Sequence, residues 1–155
     1  MMRLILLSIL VLGARPANAA EVRAGAAAVR ITPPAGAPMA GYYYVRANEG
    51  VHDDLYAKAL VFESGGARAA LVACDLISMP REVAEKARAL IERETGIPGA
   101  AVMLSATHAH TGPVLVDRST REDAAVYSLA REYTASLHTR LAEAVKLANE
   151  RLAPA

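Results

Sequence analysis

Residues Ala101 to Pro113 read AVMLSATHAHTGP, a short apolar run that ends in two histidines spaced i, i+2 and a Gly-Pro turn. The chain has only 4 histidines, and this loop holds His108 and His110. Imidazole binds metal ions through a neutral ring nitrogen and exchanges protons near neutral pH. If the backbone stays extended, residues i and i+2 project to the same side. Both rings then reach one metal ion, or one ring binds it while the other handles protons. Zinc fits such donors best, because neutral imidazole is a good zinc ligand and a catalytic zinc keeps one position open for water. A His-x-His pair has a second reading, as surface or hydrogen-bonded structural histidines, and the pair alone leaves both open. Thr107, Thr111 and Gly112 flank it with hydroxyls and turn capacity.

Other residues are weaker candidates. Asp75 follows an apolar run and is placed to orient a ligand histidine through its second ring nitrogen, as outer-shell carboxylates do. His52 stands beside Asp53 and Asp54 in a loop entering a strand, and a capping or solvated cluster accounts for it as well as a site does. His138 falls within a helical pattern and reads as a helix-face residue. Tyr42-Tyr43-Tyr44 either lines a pocket mouth or anchors a loop with one dry and one wet side. Cys74 is the sole cysteine, which excludes an intrachain disulfide, and its apolar setting reads as a buried inert thiol.

The elements that must position these residues are legible from periodicity. Val22–Ile31 reads as a weak strand that ends at Thr32-Pro33-Pro34, and the Pro- and Gly-dense TPPAGAPMAGYYY must be loop. Leu55–Glu63 and Ala67–Leu76, separated by Gly65-Gly66, read as a β-hairpin. A helix then starts near Ser78 and Pro80 and stops at Gly96, with Val83, Ala87, Leu90 and Ile91 on one face. Ala101–Ser105 follows as a short strand, so Ala67–Leu76, the helix and Ala101–Ser105 form a βαβ unit with parallel strands. Ligands bind at the carboxyl ends of such strands, which here carry Asp75 and the histidine loop. Val126, Leu129, Tyr133, Leu137, Leu141, Val145, Ala148 and Leu152 step by three or four along a long amphipathic helix. The fold class is therefore α/β: a mixed sheet with a β-hairpin, one βαβ unit and a long C-terminal helix. That helix carries an apolar face in want of a partner, so an incomplete domain with exposed apolar surface is expected.

Length bounds the rest. The 155 residues are 54% hydrophobic and only 5% aromatic, so one domain with an aliphatic core is expected. Residues 1–19 read as a signal peptide: Arg3, an apolar run from Leu4 to Leu12, and a small-x-small site at Ala17-Asn18-Ala19. The run is too short to span a bilayer, which takes about 20 apolar residues. Secretion or a periplasmic location follows; the alternative is an uncleaved anchor or a buried first helix. Removing Arg3 and Arg15 leaves 15 Lys+Arg against 16 Asp+Glu, a formal charge of −1. With no basic run, nucleic acid is excluded as a partner.

Four segments in order carry a resemblance. AAAVRITPPAGAPMAGYYY, GVHDDLYAKALVF, ALVACDLISM and GIPGAAVMLSATHAHTGP together resemble the N-terminal part of the neutral/alkaline, non-lysosomal ceramidase family, over roughly Ala24 to Pro113. The most specific piece is Thr107 to Pro113, a Thr-His-x-His-[Thr/Ser]-Gly-Pro loop. The resemblance implies a secreted or membrane-associated zinc amidase that hydrolyses the N-acyl bond of ceramide or a related N-acyl lipid. By match to the motif it implies His108 as a zinc ligand. It places His110 near the reacting amide, as a proton donor or oxyanion partner or in a structural role. It implies membrane-surface contact only through the substrate. The family completes its zinc site with a further His, Glu and Tyr, which this sequence does not reach, and Val114-Leu115 stand where the family loop is glycine-rich. Residues 20–155 are thus expected to be a truncated N-terminal domain, its remainder C-terminal to Ala155. The alternative is an inactive secreted remnant or binding domain that lacks a complete metal site. A barrel amidohydrolase with His-x-His on a strand is disfavoured by the leading hairpin and signal peptide.

Overall fold

Alternating burial builds the sheet. The computed structural model describes residues 21–116 and 127–155. The signal-peptide reading of residues 1–19, and Val126 of the helical pattern, lie outside the described residues. Three strands carry the alternation: β1 (Val22–Arg30), β2 (Tyr56–Ser64) and β3 (Ala67–Cys74). Val29, Ala57, Ala59, Val61, Ala70, Val72 and Cys74 face one side and are buried. A two-residue turn joins β2 to β3, with Gly65 at φ 58° and Gly66 at φ 81°. Both torsions are left-handed, as the tightest hairpin turn requires, and glycine adopts them without steric cost.

The expected helix is α1 (Arg81–Thr95), closed by Gly96 at φ 71° with its N–H donated to Glu92 O at 2.9 Å. Pro80 occupies the N-cap without a side-chain cap, so Ser78 marks the boundary but does not form it. A 3-10 turn at Gly99–Ala101 leads into β4 (Val102–Ala106), which pairs parallel with β3. The βαβ reading is borne out. Strand β3 stops at Cys74, two residues earlier than the apolar run suggests, which leaves Asp75 and Leu76 in the loop.

The long helix is α2 (Ser128–Glu150), followed by a two-residue strand β5 (Ala153–Pro154) that pairs with β1. The sheet order is β4-β3-β2-β1-β5, with only the β3–β4 pair parallel. The sequence reading had no signal for β5, because two residues carry no periodicity. Gly25 explains the close seat of α2: a side chain there would run into the Ala148 carbonyl and Arg151–Leu152 backbone.

One expectation is corrected. The apolar face of α2 does not lack a partner, since Leu137, Leu141, Ala144, Val145 and Ala148 are buried in one core with α1 and the sheet. The uncovered apolar surface lies on the opposite side of the sheet. There Ala26, Leu60, Leu71 and Met103 stand in register across four strands, and the last three are 44%, 39% and 54% exposed. Both helices pack on the other face, which leaves this row open. Among the described residues no helix is long and apolar enough to cross a membrane.

Candidate functional site

Strand β4 delivers the histidine loop to the carboxyl end of the parallel pair. The ladder runs on past the strands: Thr107 N–H donates to Cys74 O at 2.9 Å and Ala109 N–H to Leu76 O at 3.1 Å. Between these bonds the backbone does not stay extended. His108 has φ 63°, the only non-glycine residue with positive φ among those described. A left-handed residue folds the loop back on itself, so the histidines do not share a side by strand alternation. They meet through the turn instead, with ring centroids 5.0 Å apart in an edge-to-face arrangement.

Backbone carbonyl chemistry then fixes one ring. His108 Nδ1 lies 2.9 Å from Ile77 O. A carbonyl only accepts, so Nδ1 carries the proton and Nε2 is the basic nitrogen. This is how ligand histidines are commonly held, with one ring nitrogen donating to a carbonyl or carboxylate and the other free to bind. The partner at His108 is Ile77, not Asp75. The Asp75 carboxylate is turned toward β2, where it accepts the Tyr56 N–H at 3.0 Å and lies 3.6 Å from Lys58 Nζ. It ties the ends of β2 and β3 together.

The loop is held from two sides. Gly112 sits where an added side chain would meet Asp75 O at 3.2 Å and Leu76 Cα at 3.6 Å. From the other side, Ala40 N–H donates to Gly112 O and Val114 N–H to Pro38 O, each at 2.8 Å, and Met39 bridges Pro113. The Gly-Pro end of the motif is therefore a seat between the β3 end and the Pro38–Gly41 segment. Thr32 serves a similar end: its hydroxyl donates to Asp54 Oδ1 at 2.7 Å and accepts the Leu55 N–H at 2.9 Å.

His108 and His110 are both exposed. Two cavities flank their loop and neither is lined by these rings. One of about 400 Å³ is bounded by Thr32, Met39, Val51, His52 and Thr111, and one of about 430 Å³ by Gly41, Tyr42, Tyr44, Val114 and Tyr127. His52 is exposed and paired to Asp53 at 2.7 Å, away from the other histidines' contacts. His138 lies on α2, with Nδ1 enclosed. Cys74 is fully buried, and burial first and the Asp75 charge second push its thiol up to about 12. That is a protonated, inert thiol. Tyr133 donates its hydroxyl to Ile31 O, and burial, then Cys74, raises its phenol.

The donor chemistry at His108 suits zinc, since the Ile77 carbonyl holds the ring by Nδ1 and leaves Nε2 as the nitrogen that can bind. The set is incomplete: among the described residues no group of three or more His, Cys, Asp or Glu is placed to hold a metal ion.

Fold and loop together define a two-layer α/β scaffold that presents paired imidazoles at the carboxyl ends of two parallel strands. The structure is similar to that of neutral ceramidase from Pseudomonas aeruginosa, with TM-score 0.74 and 26% identity over 87% of this chain. It is similar also to a ceramidase complexed with C2, with TM-score 0.72 and 26% identity over 87% of this chain. The resemblance read from the sequence is borne out: at low identity, the chain is consistent with an N-terminal region of the neutral ceramidase family. It spans 22% of the length of each of those solved chains. No family model and no curated protein matches the sequence.

Two contributors escaped the sequence reading. Ile77 acts through its carbonyl, which carries no side-chain signature. Gly41 entered it through a Gly- and Pro-rich loop and, with Tyr42, through the family resemblance, but with no sign that it stands against His110.

Proposed function

We propose that the chain is the N-terminal part of a zinc-dependent amidohydrolase of ceramidase type, acting on the N-acyl amide bond of ceramide or a related N-acyl lipid. The observation that carries this reading is the His108 ring, tied by Nδ1 to Ile77 O so that Nε2 is free, within a fold similar to neutral ceramidase. In this reading His108 Nε2 is one zinc ligand, and the remaining ligands come from polypeptide outside these residues. Bound zinc supplies Lewis-acid chemistry that polarises an amide carbonyl and activates water. His110, 5.0 Å from His108 between ring centroids, is the proton donor or oxyanion partner at the amide. The Gly112-Pro113 seat keeps both rings at the sheet end. The protein is secreted or periplasmic through cleavage near Ala19, and it meets membranes through its substrate. The N-terminal residue of protein recovered from its native host checks the cleavage: a start at Ala20 or Glu21 is expected, and an intact Met1 refutes it.

The test is made on the full-length polypeptide that contains this chain. Metal analysis is expected to find stoichiometric zinc, reduced in His108→Ala. Fatty acid release from N-acyl sphingoid substrates is expected to be lost in that variant. His110→Ala is expected to keep zinc and lose at least about 100-fold in kcat, the scale of general acid–base catalysis. Unchanged zinc content in His108→Ala refutes the ligand assignment. The competing reading, a secreted remnant or binding domain, is favoured by the incomplete donor set among the described residues. It predicts neither zinc nor hydrolysis.

A further inference from the structure

Gly41 lies beside the second histidine in a way that no other glycine does. Its φ is 84°, a left-handed torsion. A side-chain carbon built on it would stand 2.5 Å from His110 Nδ1, 2.6 Å from Cγ and 2.7 Å from Cβ. Real side-chain carbons do not approach other atoms this closely, so the His110 ring occupies the space that any larger residue at 41 would need. The contact is not an accident of two loose loops. Residues Pro38–Gly41 are stitched to Gly112–Val114 by Ala40 N–H to Gly112 O and Val114 N–H to Pro38 O, each 2.8 Å, and by the Met39–Pro113 bridge. Position 41 is therefore fixed relative to the histidine loop by backbone pairing.

We propose that Gly41 is a positioning residue for His110: its bare α-carbon is the wall against which the ring rests, and it directs the ring's far edge, Nε2, away from Gly41. The three His110 atoms nearest that wall are Nδ1, Cγ and Cβ, so the ring meets Gly41 by its near edge and Nε2 is distal. His108 is held by a hydrogen bond to Ile77; His110 is held by shape, through a residue 69 positions away in sequence. The proposal rests on the reading of His110 as the group that meets the amide, and adds what sets its orientation.

The experiment is NMR on the isotope-labelled 155-residue chain, with Leu71→Lys on the open face of the sheet in every sample to suppress association, following the ring signals of His52, His108, His110 and His138. In the wild type, a nuclear Overhauser contact between the Gly41 α-protons and the His110 ring is expected. Gly41→Ala is expected to abolish the contact and shift the His110 ring signals by more than a linewidth. Gly66→Ala is the control: it carries the same left-handed strain, at φ 81°, with nothing within 4 Å of the added carbon. It is expected to leave His110 in place. Absence of the wild-type contact overturns the proposal. So do unchanged His110 signals in a folded Gly41→Ala, or an equal shift in Gly66→Ala. If Gly41→Ala does not fold, the wild-type contact alone decides. Neither zinc nor hydrolysis enters this readout, so its failure and the failure of the ceramidase reading are separate results.

Discussion

A histidine at φ 63° is held in a conformation that L-residues seldom adopt, though histidine tolerates it better than most. Here the Ile77 hydrogen bond and the flanking ladder bonds from Thr107 and Ala109 over-determine it. Cys74, whose carbonyl accepts the Thr107 N–H, is a buried group that responds to pH. Its thiol is pushed from an ordinary 9.0 up to about 12, by burial and then by Asp75. The folded state thus holds this proton more tightly than the unfolded chain does. The stabilisation is fully present below pH 9 and is lost as pH climbs toward 12, and Tyr133, raised as well, acts in the same direction. Urea midpoints are expected to hold from pH 8 to about 9 and to fall from there to pH 11, and the fall is expected to flatten in Cys74→Ala. An identical slope in that variant refutes the assignment. The native thiol is also expected to resist alkylation at pH 8 until the protein unfolds.

The elements rest on close contact between alanine-rich surfaces. Ala57, Ala59 and Ala70 on the sheet and Ala144 and Ala148 on α2 bring helix and strands near each other, and Gly25 removes the last obstacle. Leu141, fully buried in α2, fills the space between. Leu141→Ala is expected to cost about 2–5 kcal/mol by chemical denaturation, the range for deleting a buried leucine side chain. A loss below about 1 kcal/mol would mean that α2 does not pack where described. Gly25→Ala is expected to destabilise as well, because the obstacle it meets is backbone and cannot swing aside. Periodicity made these helices and strands readable: the Gly65-Gly66 hairpin, the Gly96 stop and the βαβ order all follow from local chemistry. Strand β5 and the stop of β3 at Cys74 did not, since both are settled by which neighbour offers the next hydrogen bond.

For the whole molecule, the consequence of stacking both helices on one side is an open apolar row on the other. Ala26, Leu60, Leu71 and Met103 line up across four strands, with Phe62 beside them at 38% exposure. Contiguous apolar surface of this kind drives association. The 155-residue chain is expected to self-associate at micromolar concentration in sedimentation velocity. Leu71→Lys, at the centre of the row, is expected to suppress this with a stability change within about 0.5 kcal/mol, as befits a surface site. Association undiminished by Leu71→Lys would place the sticky surface elsewhere. The sequence reading foresaw exposed apolar surface and assigned it to the last helix. Amphipathicity tells that a face must be buried, but not by what. The sheet and α1 cover that helix, so the deficit passes to the sheet's second face.

The sequence by itself determined the α/β class, the hairpin, the parallel pair, the histidine loop at its carboxyl end and the resemblance to neutral ceramidases. All of these depend on residue type and short-range spacing. Only the tertiary structure decided that His108 turns through a left-handed residue, that Ile77 rather than Asp75 holds its ring, and that Gly41 stands against His110. Those are contacts between segments 31 to 69 residues apart, made by a carbonyl and a bare α-carbon. Neither has a side chain that could announce it along the chain.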